Sequence, residues 1–295
     1  MQSFRRIIVA LDLSEADRHI LQFLAANAAL MGIEKAYFVH LMPDFTLPKQ
    51  VDVEFQKLFA PEYPVDEKVR DKLGFDIQEA FGEEAELEYS IEVIEGKPYE
   101  KLLHWIKVKE ADLLVVGKKE VSQGSGITAR RVARNAKCNI LFVPVNGYSE
   151  IENIVVPLDF SNHSLHAIQA AQAFKARKPE ADIHGLYVVD LPPEDYYTRS
   201  RPGKGYRGVL MESAKIAYDS FVKDNGLSRE EIEMNFLENK QHDIAGHIED
   251  FALEKPHSMI IMGARGHSPF ETFLFGSITE KMAERVNVLP LLVVR

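Results

Sequence analysis

The stretch "RIIVALDLS", residues 6–14, returns as "NIVVPLDFS" at residues 153–161, which sets Asp12 on Asp159 with an offset of 147. The same offset lays "VHLM" (39–42) on "LYVV" (186–189). Further on, "ADLLVVGK" (111–118) matches "HSMIIMGA" (257–264) at 146, and "NILFV" (139–143) matches "PLLVV" (290–294) at 151. A nearly constant offset over the whole chain marks a duplicated unit. The halves meet in "NGYSE", where Gly147 suits a turn, so the expected domains are 1–147 and 148–295.

Each half alternates short β-branched runs with stretches of helical periodicity. Ile7–Leu11 reads as a strand and Ser14 as a helix cap, followed by Ile20, Leu24, Ala28 and Met31 at helical spacing. "AYFVHLM" and "ELEYSIEVI" are the second and third strands, Pro98 opens a helix, and "DLLVV" and "NILFV" complete the half. The second half repeats this, with Ser161 as cap and Ala167, Ala170, Ala171 and Phe174 on one helical face. Strands apolar on both sides and separated by helices form parallel sheets covered on both faces. The expected fold is therefore α/β, with two tandem doubly wound domains, each a five-stranded parallel sheet flanked by helices. Ligands of such sheets bind beyond the carboxyl ends of the strands, at the switch point. Polar excursions at 43–66 and 190–208 read as the mobile or partner-facing parts.

Composition narrows the partners. The 295 residues carry a formal net charge of −10 and a pI near 5.5, which argues against duplex nucleic acid or an anionic membrane as a whole-chain partner. No apolar run approaches the ~18 residues of a membrane span, and "MQSFRRIIVALD", whose short apolar run meets Asp12, is not expected to serve as a signal peptide. The one cysteine, Cys138, allows no disulfide within the chain, so a cytoplasmic location is expected.

The chemistry concentrates in "MGARGHSPFETFLFGSIT", residues 262–279, between an apolar run and a helix. Gly263, Gly266 and Gly276 let backbone approach a ligand without a Cβ in the way. The helix start near Ile278 offers N–H groups and a positive dipole end, Ser277 and Thr279 offer hydroxyls, and Arg265 can reach an anion. A plainer account stands beside this one: Gly263 as strand terminator, Gly276 as turn, and Ser277 as cap with Glu280 completing a capping box.

The spacing G-x2-G-x9-G-[ST] after the fourth strand resembles the ATP-binding signature of the universal stress protein family, and the duplication resembles its tandem members. The resemblance implies ATP as ligand, with Pro157, Leu158 and Asp159 at the adenosine end. It implies a backbone contact from Val188 to the adenine, and Met262 and Gly263 along the nucleoside. Gly266, Gly276, Ser277, Ile278 and Thr279 would surround ribose and phosphates, with Mg2+ bridging the phosphates. In the family, last strands pair across a dimer. Here "NILFV" and "PLLVV" can pair within one chain as an internal pseudo-dimer, with room for further self-association.

The first half departs from the signature. Glu120 stands where Gly266 has its counterpart, "SG" (Ser125-Gly126) replaces "GS", and eleven positions separate Gly117 from Thr128 against sixteen from Gly263 to Thr279. A carboxylate near a triphosphate costs about 1 kcal/mol or more, with Lys118 and Lys119 in partial compensation, so the first half is expected to bind ATP weakly or not at all.

Other signals are weaker. "GKGYRG" (203–208) fits a dinucleotide fingerprint but lacks its strand–helix context and reads as a basic loop; no G-x4-G-K-[ST] occurs. His163 and His166 read as helix-surface histidines rather than metal ligands, and Cys138 and Trp105 as interior residues. No general base is evident. The chain therefore reads as a nucleotide-responsive regulatory module with unidentified protein partners, not a dedicated catalyst, although slow ATP hydrolysis is compatible with it. The rivals are a scaffold without nucleotide, or a nucleotide-dependent transferase, whose S-G-G-x-D-S or H-I-G-H-like motifs are absent.

Overall fold

The computed structural model describes residues 4–42, 65–82, 87–118, 126–145, 150–190, 204–239, 242–267 and 275–295. The chain divides into two compact units, Phe4–Cys138 with Val143–Val145, and Asn146–Arg295 with Asn139–Phe142.

In the N-terminal unit the order is β1 (Arg6–Leu11), α1 (Glu15–Met31), β2 (Lys35–Met42), α2 (Val65–Phe81), β3 (Glu88–Glu95), α3 (Pro98–Val108), β4 (Leu113–Lys118) and α4 (Gly126–Asn135). Strand β1 lies between β2 and β4, parallel to both, and β2 carries β3 on its other side. Ile7, Ile8 and Val9 of β1 have no exposed surface, so both faces of the strand are covered. For such a strand a slip by one residue swaps one apolar face for another, and alternation cannot set the register. Polar pins at the strand ends do so instead: the Arg6 N–H donates to Asp112 Oδ2 at 2.9 Å. Pro98 occupies the first turn of α3 as expected.

The C-terminal unit repeats the pattern with β6 (Asn153–Pro157), α5 (Asn162–Lys175), β7 (Asp182–Asp190), α6 (Lys204–Asp224), β8 (Glu233–Asn239), α7 (Ile244–Leu253), β9 (Ser258–Gly263), α8 (Ser277–Arg285) and β10 (Leu291–Val294). Strand β6 is parallel to β7 and to β9, while β9 carries β10 and β7 carries β8, so five parallel strands line up as β10-β9-β6-β7-β8. Residues 139–142, the start of β5 (Asn139–Pro144), pair antiparallel with β10, Leu291 opposite Phe142 and Val293 opposite Ile140. The first strand of this unit pairs with the second on one side and the fourth on the other, which creates the switch point at its carboxyl end.

Two readings change. The stretch 190–208 was expected to be loop throughout, yet α6 begins at Lys204, so Gly205 and Gly208 of "GKGYRG" lie in a helix. The Glu-rich "EEIEMNFLEN" (230–239), whose charge reads in the sequence as a solvated edge, puts its last seven residues into edge strand β8. Of the expected excursion 43–66, residues 43–64 lie outside the described residues and α2 already begins at Val65; residues 191–203 and the junction 146–149 also lie outside them. No described helix is long and apolar enough to cross a membrane.

Candidate functional site

Strand β6 stops at Pro157, and the next residues turn sharply into α5. Phe160 adopts φ of +64°, a left-handed conformation costing a non-glycine residue about 1–2 kcal/mol. Aromatic packing offsets that cost: the Phe160 ring stacks on Tyr187 at 4.8 Å and 6° and also leans on Tyr218 and Phe221. The turn lets the Asp159 carboxylate accept the Ser161 N–H at 3.1 Å. Ser161 in turn caps α5, its side chain accepting the Ser164 N–H at 3.3 Å. The Ser164 hydroxyl donates to Asp159 Oδ1 at 2.5 Å and accepts the Asp159 N–H at 3.0 Å. Asp159 is thereby fixed in place at the strand's end.

The glycines after β9 have separate reasons to be glycine. A Cβ on Gly263 would stand 2.7 Å from the His163 carbonyl carbon and Cβ, so this residue is small because α5 packs against β9 there. That is the plain structural reading, and it applies to Gly263. A Cβ on Gly266 would lie 2.2 Å from Asp159 Oδ2, so the carboxylate and the glycine backbone share one narrow space. Gly276 is not forced by sterics: a Cβ there meets nothing closer than Arg265 Cα at 3.4 Å.

At α8 the proposed capping box is not formed. Gly276 is the cap, with φ −73° and ψ 161°, no side chain caps the helix, and Ser277 is its first residue. The start of α8 therefore offers backbone N–H groups and the positive end of the dipole to whatever lies in front of it. Thr279, buried, donates its hydroxyl to the Gly263 carbonyl at 3.0 Å, so it ties helix to strand and is not an available donor. His267, which the sequence reading passed over, brings Nε2 within 2.7 Å of the Asp159 carbonyl and closes the loop over the end of β6.

These pieces enclose a cavity of about 380 Å³, within the usual range for small-molecule sites. It is lined by all of Pro157, Leu158, Asp159, Val188, Met262, Gly263, Arg265, Gly266, Gly276, Ser277, Ile278 and Thr279, which the structure brings together from three strand ends and one helix start. Ser164, Leu186, Tyr187, Asp190, Ile244, Ile248 and His267 complete the wall. Strand β7 runs on to Asp190, past its last pairing with β6 at Leu186, so its edge from Tyr187 onward faces the cavity side without a β6 neighbour. The cavity thus combines this strand edge and the apolar Ile244, Ile248 and Met262 with Arg265 and the start of α8. A flat, partly apolar group with an anionic tail would suit that combination.

The ionisable groups respond to it. Burial, then Asp159 and Asp190, raise the Tyr187 phenol above its ordinary value. Burial, then His166 and Arg265, hold the His163 imidazole below its own, with Asp159 pulling the other way. His163 and His166 lie edge-to-face with ring centroids 6.1 Å apart. Among the described residues the one trio with metal-ligand spacing, Glu150, Glu152 and His257, does not include them. Cys138 is buried, as expected. Trp105 is only partly covered and packs under the Lys109 ammonium at 4.7 Å.

The N-terminal counterpart differs at its base. Leu13 repeats the left-handed turn, with φ of +61°. Here, however, Asp17 stands where Ser164 stands in the second half, and its buried carboxylate accepts the Asp12 N–H at 3.1 Å and the Leu13 N–H at 2.7 Å. Gly117 packs against Ile20 of α1, an added Cβ falling 3.0 Å from Cδ1. Lys119 to Ser125, including Glu120, lie outside the described residues.

The sequence profile of the universal stress protein family matches twice, over residues 3–144 and 150–295. The chain belongs to the universal stress protein family. A universal stress protein of Methanocaldococcus jannaschii is 30% identical over 158 residues, covering 51% of this chain and 85% of that protein. The crystal structure of a universal stress protein from Archaeoglobus fulgidus superposes with a TM-score of 0.66 at 17% identity, over 99% of this chain and 97% of that one. A putative universal stress protein from Pseudomonas aeruginosa gives 0.60 at 13% identity, over 99% and 93%. The two profile matches make this a tandem universal stress protein, and the superpositions establish its α/β fold.

Proposed function

We propose that the C-terminal unit of this universal stress protein binds ATP and acts as a nucleotide-responsive regulatory module. The observation that carries the reading is the convergence of two unlike surfaces on one cavity: the open β7 edge with its apolar wall, and the side-chain-uncapped start of α8 beside Arg265. The adenine lies along Val188 and Met262, the ribose beside Asp159, and the phosphates over Gly266, Gly276 and Ser277. Glycine at 266 lets the loop backbone pass beside the Asp159 carboxylate, so that backbone rather than a side chain lines the cavity there. Mg2+ would be held mainly by phosphate oxygens and water, supplying charge neutralisation.

Regulation is favoured over catalysis because the carboxylate nearest the phosphate side, Asp159, is engaged by the Ser161 N–H and the Ser164 hydroxyl and serves as a structural anchor. Protein partners would read the surface around Arg265, Gly266 and the start of α8 when the nucleotide is bound. Mass spectrometry of denatured, freshly purified protein, followed by calorimetry with ATP and magnesium, tests the reading. Co-purified ATP or ADP, or saturable binding at one site per chain, is expected. The absence of both overturns it.

A further inference from the structure

We infer that the position shared by Asp17 and Ser164 is the charge selector that permits a polyphosphate in one half of the chain and refuses it in the other. The inference rests on the ATP reading above and adds a residue the nucleotide signature does not include. Both residues lie five positions after the aspartate that ends the first strand, both are buried, and both receive that aspartate's N–H. Their chemistry is opposite. The Ser164 hydroxyl accepts the Asp159 N–H and donates to the Asp159 carboxylate, so a neutral group satisfies one donor and one acceptor and adds no charge.

Asp17 has no proton to give when ionised. It takes the N–H groups of both Asp12 and Leu13, while Asp12 turns to the Ser14 hydroxyl and N–H. The first half thus holds two carboxylates at the strand end where the second half holds one. Asp17 thus adds a second carboxylate to this strand end and occupies the Asp12 and Leu13 N–H groups there. Because the same turn folds around either residue, with φ of +61° at Leu13 and +64° at Phe160, exchange at this position changes charge with little change of shape.

The test is Ser164→Asp in the full chain, read with ATP and with adenosine. Affinity for ATP is expected to fall about 15- to 300-fold, the repulsion between unit charges about 5 to 10 Å apart at an effective dielectric near 20. Adenosine, which carries no phosphate, loses at most a few-fold. The ATP deficit relative to the unchanged protein shrinks at high salt, as screening predicts. Ser164→Asn, polar but neutral, loses less than Ser164→Asp. Equal loss of ATP and adenosine, a deficit indifferent to salt, or a variant that does not fold would each overturn the selector and show Ser164 to be structural. An unchanged protein that binds adenosine and ATP normally while Ser164→Asp does the same defeats the selector and leaves ATP binding standing. An unchanged protein that binds neither defeats both.

Discussion

Gly276→Asp separates a binding role for the start of α8 from a structural one. The cap position already has the extended backbone, φ −73° and ψ 161°, that a capping aspartate adopts, and a Cβ there has no contact shorter than 3.4 Å. An aspartate fits without moving the loop and accepts an N–H of the first turn. Against glycine such a cap gains a few tenths of a kcal/mol, and its charge at the positive helix end adds about 0.3–1 kcal/mol. The protein without ligand is therefore expected to melt later, by about 1–4 °C for a unit of this size. The same carboxylate sits where the phosphates are proposed to lie. A unit charge about 4 Å from a phosphate costs between about 1 kcal/mol in water and 4 kcal/mol at an effective dielectric of 20, so ATP affinity falls about 5- to 1,000-fold. Differential scanning fluorimetry and calorimetry on the same preparation read both effects. Gly276→Asn supplies the cap without the charge and keeps most of the affinity. A Gly276→Asp protein that melts later and binds ATP within twofold of the unchanged chain would refute the placement of the phosphates.

Three further outcomes follow from the same geometry. Gly263→Ala pushes a Cβ into the His163 backbone and is expected to destabilise by about 1–3 kcal/mol in urea unfolding, whereas Gly117→Ala meets the movable tip of Ile20 and costs less; the reverse order would contradict the packing described. Thr279→Val keeps the shape but leaves the buried Gly263 carbonyl without that hydroxyl, a loss of about 1–3 kcal/mol visible as a lower urea midpoint, and an unchanged midpoint would remove the tether. His163 takes up its proton less readily in the folded protein than in the unfolded chain, so stability present above pH ~6.5 is lost as pH falls below it. Urea midpoints from pH 7.5 to 5.5 should drop less steeply in His163→Gln, and parallel slopes would acquit this residue.

Much of the architecture was legible because duplication writes each element twice. Asp12 and Asp159, the caps Ser14 and Ser161, and the strands around them fall on one another by a single offset, and local hydrogen bonding enforces them. The cavity lining was legible for a related reason: glycines and a following hydroxyl past a buried strand have few other uses in combination. What escaped was set by direction rather than by residue type. Nothing in the sequence says that Thr279 aims its hydroxyl back at Gly263, or that Gly276 and not Ser277 is the cap. The Phe160–Tyr187 stack joins residues far apart along the chain, through a turn whose left-handed residue is not glycine. Asp17 opposite Ser164 was available to alignment of the halves, but its meaning depends on which N–H groups the side chain reaches. The helical start at Lys204 was hidden by glycines that propensity alone assigns to a loop.

The two hydrogen bonds at the foot of the glycine loop, Gly276 N–H to the Ala264 carbonyl at 2.8 Å and Thr279 to the Gly263 carbonyl at 3.0 Å, act as a clasp. With its ends fastened to strand and helix, the chain between them can change length at small cost, since each doubling of a loop adds only about 0.6 kcal/mol of closure entropy. The framework and the span between these two bonds are in that sense separately editable. A lineage, or an engineer, can lengthen, shorten or rewrite what lies inside the clasp, and so redirect what the unit recognises, while the sheet beneath goes on folding as before.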